Sequence, residues 1–343
     1  MSEARKVLLV GSIGLPDPET VFRTLSASVG DLAPCLPDGE CGPRANWISW
    51  QQPLIARNDG FELAETTEIQ LGGSMRTIEK YRLKEDVDPG AVDFGPLGYA
   101  DAAIESYGLF KTLRSAGEVA AGARFQVSLP TPVAVVFQNF VARSQALVEP
   151  AYERAMLREV ERIVDTIPLE DLALQWDVAH EVLAADGAWA LYFDDPVGGA
   201  LERLARLSAR VPEPCLLGFH LCYGDPGHKH VKEPRDLAVC VAFANGLCAR
   251  VPRRVDWVHM PVPKDRNDEA YFAPLGGIDL TPDTNLYLGL VHMTDGVAGA
   301  RLRLAQAKKY VADFGIATEC GFGRRPPETI RPLLDLHGEI ARL

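Results

Sequence analysis

Hydrophobic positions along the chain fall into two kinds of run. Short apolar stretches at 7–10, 124–128, 172–176, 216–220, 255–259, 286–291 and 315–318 carry few polar interruptions. Continuous runs of that length fit parallel strands covered on both faces; a strand with one wet face would alternate. Between them, at 150–166, 198–209, 234–249, 298–314 and 327–341, apolar residues recur at helical spacing. Strands and helices taking turns predict a parallel sheet with helical crossovers. The first run leads into Gly11-Ser12-Ile13-Gly14, a poor match to the glycine fingerprint of an open dinucleotide-binding sheet. The expected fold is therefore α/β, a (β/α)8 TIM barrel formed as one domain by residues 1–343. Residues 48–119 fit this rhythm least. Within them, 65–71 and 75–83 predict a β-hairpin turning at Gly72-Gly73, an insertion in the region 60–85 near the barrel mouth.

Composition narrows the function classes. Hydrophobic residues make up 47% and charged residues 24%, a globular balance. The net charge of −12 argues against a nucleic-acid groove or an anionic membrane surface. No apolar run reaches bilayer length, and the short N-terminal run lacks a signal-peptide core, so a cytoplasmic location is expected. Seven dispersed cysteines, an odd number, suggest thiols kept reduced for metal binding, chemistry or core filling.

In a barrel, chemistry sits at the C-terminal ends of the strands. The run 216–220 ends at His220 and continues Leu221-Cys222-Tyr223, so His220 and Cys222 are two apart and project to one side of extended backbone. The run 315–318 leads into Glu319-Cys320-Gly321. One imidazole and two thiolates form a zinc-like donor set with an open fourth position. A substrate thiol in that position becomes a thiolate near neutral pH, the competent nucleophile. Other strand ends offer Asp177 with His180 and Glu181, His259, and His292 with Asp295, and the first run leads on to Asp38-Gly39-Glu40. A lone acid or histidine in such a place is usually a satisfied structural residue; several at successive strand ends favour a site.

These motifs resemble the catalytic domain of cobalamin-independent methionine synthase and its short single-barrel relatives, which include epoxyalkane:coenzyme M transferase-like proteins. Gly11-Ser12 resembles the family's turn after the first strand, Asp38-Gly39-Glu40 its Gly-Glu motif, and Gln175-Trp176-Asp177 its Gln-Ile-Asp motif. Phe219-His220-Leu221-Cys222-Tyr223 matches its His-x-Cys-Tyr motif; Leu290-Val291-His292 resembles Asp-Ile-His, and Cys320-Gly321 the final Cys-Gly. The resemblance implies a zinc cofactor held by His220, Cys222 and Cys320. It implies substrate-binding residues Ser12, Glu40, Asp177 and Tyr223, with Asp177 and His292 catalytic and His292 the general acid. Pro261 stands where the synthase carries a glutamate ligand, leaving the fourth position to His259, a water or the substrate.

The leading expectation is a zinc-dependent transferase with two small-molecule partners, a thiol and an alkyl or methyl donor; the sequence leaves room for a homo-oligomer. The alternative is a metal-dependent lyase or hydrolase on the same barrel, activating water instead of a thiol. A purely structural zinc ranks lowest, because such sites are closed by four protein ligands and three are evident. Arg324 and Arg325 either hold an anionic substrate tail or pair with surface acids. His228 and His230 fall in a loop without a clear ligand set. Cys215, Cys240 and Cys248 read as inert core, and Cys35 and Cys41 receive no metal. Trp47, Trp50 and Trp176 are candidates for lining an apolar pocket or for plain packing.

Overall fold

The computed structural model describes residues 4–71, 74–227 and 229–343. In chain order its strands are β1 (Cys35–Pro37), β2 (Phe61–Leu71), β3 (Ser74–Leu83), β4 (Arg124–Pro130), β5 (Leu172–Val178), β6 (Leu216–Leu221), β7 (Trp257–Pro261), β8 (Asn285–Gly289) and β9 (Gly315–Ile316). Its helices are α1 (Pro18–Val29), α2 (Gln52–Ala56), α3 (Tyr99–Ser115), α4 (Pro132–Asn139), α5 (Ala142–Thr166), α6 (His180–Ala185), α7 (Pro196–Ser208), α8 (Ala238–Arg250), α9 (Glu269–Phe272), α10 (Gly296–Ala307) and α11 (Ile330–Ala341). All pairings in the main sheet are parallel, in the order β1-β4-β5-β6-β7-β8-β9. Helices alternate with its strands, so the architecture is α/β with a curled seven-stranded sheet.

The expected closed barrel of eight ladders is not formed among the described residues. Residues 7–10, read as the first strand, make one isolated bridge, Val7 to Ile316. Farther on, Ser12 bridges Gly39 and Ile13 bridges Phe322, so the segment 7–13 touches both sheet edges without a continuous ladder. The reason lies in its carbonyls. Gln126 Nε2 donates to Leu9 O at 2.9 Å, and Ser128 Oγ and Gln175 Nε2 donate to Val10 O at 3.1 and 2.6 Å. Side chains thus take acceptors that a neighbouring strand would use.

The hairpin forms as expected, β2 pairing antiparallel with β3. Its turn at Gly72-Gly73 lies outside the described residues. Helix α5 begins at Ala142 rather than 150, because Pro150 sits inside it. Proline fits a helix start best, which made 150 look like one, yet buried Val148, Tyr152 and Met156 keep the helical face continuous through it. Helices α1, α4 and α7 each begin with proline after a capping residue. Asp17 accepts from Thr20 N, Thr131 from Ala134 N and Asp195 from Gly198 N. No described helix is long and apolar enough to cross a membrane.

Candidate functional site

Strand periodicity decides which side chains meet inside the curl. Residues two apart share a face, so Gln175 and Asp177 point with Gly218 and His220, and with Trp257 and His259. In the parallel register Asp177 lies opposite His220, and His220 opposite His259. Below this row, Leu8, Val10, Cys35, Ala173, Trp257, Tyr287 and Ala317 form a separate apolar cluster. Between the two, Gln175 takes the Trp257 Nε1–H on Oε1 at 3.3 Å and donates from Nε2 to Asp177 Oδ1 at 2.9 Å. The aspartate is therefore aimed by a buried amide.

His220, Cys222 and Cys320 offer three donor atoms that all lie within 4.8 Å of one another, so this cluster could hold a metal ion. Cys222 Sγ donates to Cys320 Sγ across 3.8 Å and accepts Gly224 N–H at 3.2 Å. The hydrogen bond from Cys222 holds the Cys320 thiol well below the ordinary thiol range, with His220 and Arg324 adding to it, and holds Cys222 correspondingly high. His220 Nδ1 lies 2.7 Å from His259 Nδ1, while its Nε2 is buried with no protein partner. His259 uses its other nitrogen, Nε2, on Thr318 O at 3.0 Å. Burial first, and then His220, push the His259 pKa well below the usual value. Both ring nitrogens of His259, a fourth-donor candidate from the sequence, are thus engaged in the structure. Pro261 ends β7, and its carbonyl accepts from Tyr271 Oη at 2.9 Å.

Two small adjoining pockets share Glu40, Arg44, Tyr99 and Ser128 as walls. Trp47, Trp50 and Asp177 line the smaller one. Among the described residues, Glu40 and Trp47 are the non-glycine positions with positive φ, 52° and 51°. Such backbone is strained by ~1–3 kcal/mol and tends to mark functional sites. Here both strained residues face one cavity. Asp38 holds the Glu40 turn by accepting Glu40 N–H at 2.9 Å, and Asp38 is clamped by Arg44 at 2.7 Å and by Ser106 Oγ at 2.7 Å. Burial pushes Glu40 up to about 8 against the pull of Arg44, with Asp38 adding repulsion. Burial, and then Glu40, push Asp177 well above the carboxylate range.

The remaining expected residues are distributed around this core. Ser12 Oγ accepts Gly323 N–H at 3.3 Å, tying the first segment to the loop after Cys320, and Ser12 is not among the cavity walls. Tyr223 is buried in the main core, its ring centroid 6.0 Å from that of His230, and likewise does not line the cavities. His292 lies 2.8 Å by Nε2 from Val262 O and faces Glu319 by Nδ1 at 3.6 Å. Burial, then Arg303, lower its pKa to about 4. Glu319 also meets His230 Nε2 at 3.1 Å, and His230 Nδ1 meets Glu233 at 3.1 Å. Sequence reading passed over Glu319 and Arg44, although Glu319 directly precedes a ligand candidate and Arg44 lies six residues from Asp38. His228, in the loop that showed no clear ligand set, lies outside the described residues. Arg324 pairs with Asp225 at 3.2 Å and lies 3.9 Å by Nη2 from Cys320 Sγ. Trp176 is fully buried, and Trp47 stacks on His180 with centroids 5.6 Å apart. Cys35 and Cys215 are buried thiols, both pushed up to about 12 by burial.

A parallel α/β curl with a thiol-rich cluster at its strand ends is the class this geometry defines. Comparison with known proteins finds no matching family profile and no matching curated protein. Solved structures do match in fold. A Listeria monocytogenes protein provisionally named a vitamin-B12-independent methionine synthase aligns with a TM-score of 0.58 at 13% identity, over 99% of this chain and 98% of its own. A B12-independent methionine synthase from Shewanella sp. W3-18-1, in complex with selenomethionine, gives 0.57 at 13% identity over 99% and 97%. A methyltransferase from Methanosarcina mazei gives 0.56 at 12% identity over 99% and 95%.

Proposed function

We propose that the chain is a zinc-dependent transferase that holds a small-molecule thiol for methyl or alkyl transfer. The observation that carries this reading is the separation of the two sulfurs. Two thiolates each ~2.3 Å from a tetrahedral zinc stand ~3.8 Å apart, and Cys222 and Cys320 are 3.8 Å apart. The unpartnered Nε2 of His220 supplies the third donor. Zinc bound there would supply the Lewis acidity that keeps a substrate thiol ionised near neutral pH. The naming of the fold neighbours as methionine synthases and a methyltransferase supports the same chemistry. On this reading residues 7–13 act as the missing stave of a (β/α)8 barrel.

The chain's own groups do the rest. Glu40 and Asp177 bind a cationic part of the thiol substrate and fix its orientation, and Trp47 and Trp50 wall the cavity around it. Preorganised binding of this kind converts an encounter between two substrates into an aligned displacement. His292, with Glu319 beside its Nδ1, is the residue assigned to deliver a proton to the leaving group, a role that requires the bound substrate to raise its lowered pKa. The test is a screen of methyl and alkyl donors with and without added thiol. Turnover that requires thiol supports the transferase; thiol-independent hydrolysis or elimination would replace it with the water-activating alternative.

A further inference from the structure

We propose that His259 is a positioning residue that fixes the tautomer of His220 and ties the two halves of the metal cluster together. The inference rests on reading His220, Cys222 and Cys320 as a metal site, and assigns a role to a side chain outside that donor set.

The argument follows the hydrogens. A backbone carbonyl only accepts, so the 3.0 Å bond between His259 Nε2 and Thr318 O requires a hydrogen on Nε2. A neutral imidazole carries one hydrogen, so His259 Nδ1 presents a lone pair. That lone pair faces His220 Nδ1 at 2.7 Å, which must then be the donor. A neutral His220 is then left with its lone pair on Nε2, a buried atom without a hydrogen-bond partner in the structure. The relay runs from Thr318 O through His259 to His220 and ends at Nε2, the His220 nitrogen that the hydrogen bonds leave free for a metal. Partners of this kind orient a metal-bound histidine and raise its basicity.

Its mechanical consequence comes from where the relay starts. Thr318 is two residues before Cys320, and its Oγ1 donates to Cys320 O at 2.7 Å. His259 therefore spans from the ligand on β6 to the loop that carries the ligand after β9. The space it occupies is fitted to it. A Cβ built on Gly289 would lie 2.9 Å from His259 Nε2 and 2.8 Å from Thr318 O, so a larger residue on β8 would push on this bond.

Two measurements test the proposal. In metal-free protein, long-range proton–nitrogen NMR of the imidazoles should report His220 as the Nδ1–H tautomer and His259 as the Nε2–H tautomer; the reverse pattern overturns the relay. Cobalt(II) titration against a competing chelator should then show His259→Leu binding ~10–100-fold more weakly than the wild type, with an altered ligand-field spectrum. His259→Gln, which keeps a donor and an acceptor on a planar group, should recover part of that loss. His259→Leu with wild-type affinity and spectrum would overturn the proposal while leaving the metal site standing. Wild-type protein that takes up no cobalt would overturn the metal site and this proposal together.

Discussion

Replacing Gly289 by alanine probes the junction between fold and site without touching a ligand. The added Cβ would meet Thr318 O at 2.8 Å, Glu319 Cα at 2.8 Å and His259 Nε2 at 2.9 Å, where ordinary contact begins at 3.4 Å. The shortfall is 3.4 − 2.8, or 0.6 Å, against two backbone atoms that cannot swing aside. Overpacking of this sort costs about 1–3 kcal/mol, which urea unfolding of the metal-free protein measures. The strain falls on the residue before Cys320, so metal affinity should drop by about tenfold or more, as for other disturbances of a ligand's support. Gly246→Ala is the control. Its Cβ would strike Leu201 Cδ1 at 2.3 Å where α8 packs on α7, far from the cluster, so it should leave cobalt affinity alone whatever its effect on stability. Gly289→Ala with wild-type affinity, or Gly246→Ala with an equal loss of it, would refute the reasoning.

Cys320→Ser should lose metal and activity together, whereas Cys248→Ser, at a half-buried thiol 3.8 Å from Thr284 Oγ1, should keep both; metal analysis and turnover of the two variants check this. Glu40→Gln should change how stability depends on pH. Glu40 has a raised pKa, so its contribution is fully present below the unfolded value near 4.5 and is lost as pH rises through about 8. The thermal midpoint of the variant should therefore gain on the wild type as pH climbs across that window and level off above it. A difference independent of pH would contradict the burial assigned to this carboxyl.

Much of the site was legible because its chemistry sits at strand ends and strand periodicity is simple. His220 and Cys222 could be placed on one side of the backbone at the end of β6 from their spacing, and Cys320 was marked by the turn that follows it. The hairpin was legible from two alternating runs around paired glycines. Misreadings came where local punctuation competed with tertiary context. Residues 7–10 have the composition of a buried strand, but glutamine and serine side chains claim their carbonyls. Strand β1 is three residues long, too short to announce itself, and Pro150 looked like a helix start inside a helix whose buried face runs through it. The role of His259 could not be read from spacing at all. It depends on a carbonyl 59 residues away and on which of two ring nitrogens carries a hydrogen.

X-ray absorption at the zinc edge of the metal-loaded wild-type protein examines the donor set itself. The account predicts one equivalent of zinc with two sulfur scatterers at ~2.3 Å and one imidazole nitrogen at ~2.0–2.1 Å, and a third sulfur when the thiol substrate is added. Zinc bound through nitrogen and oxygen alone, or no zinc retained at all, would contradict it.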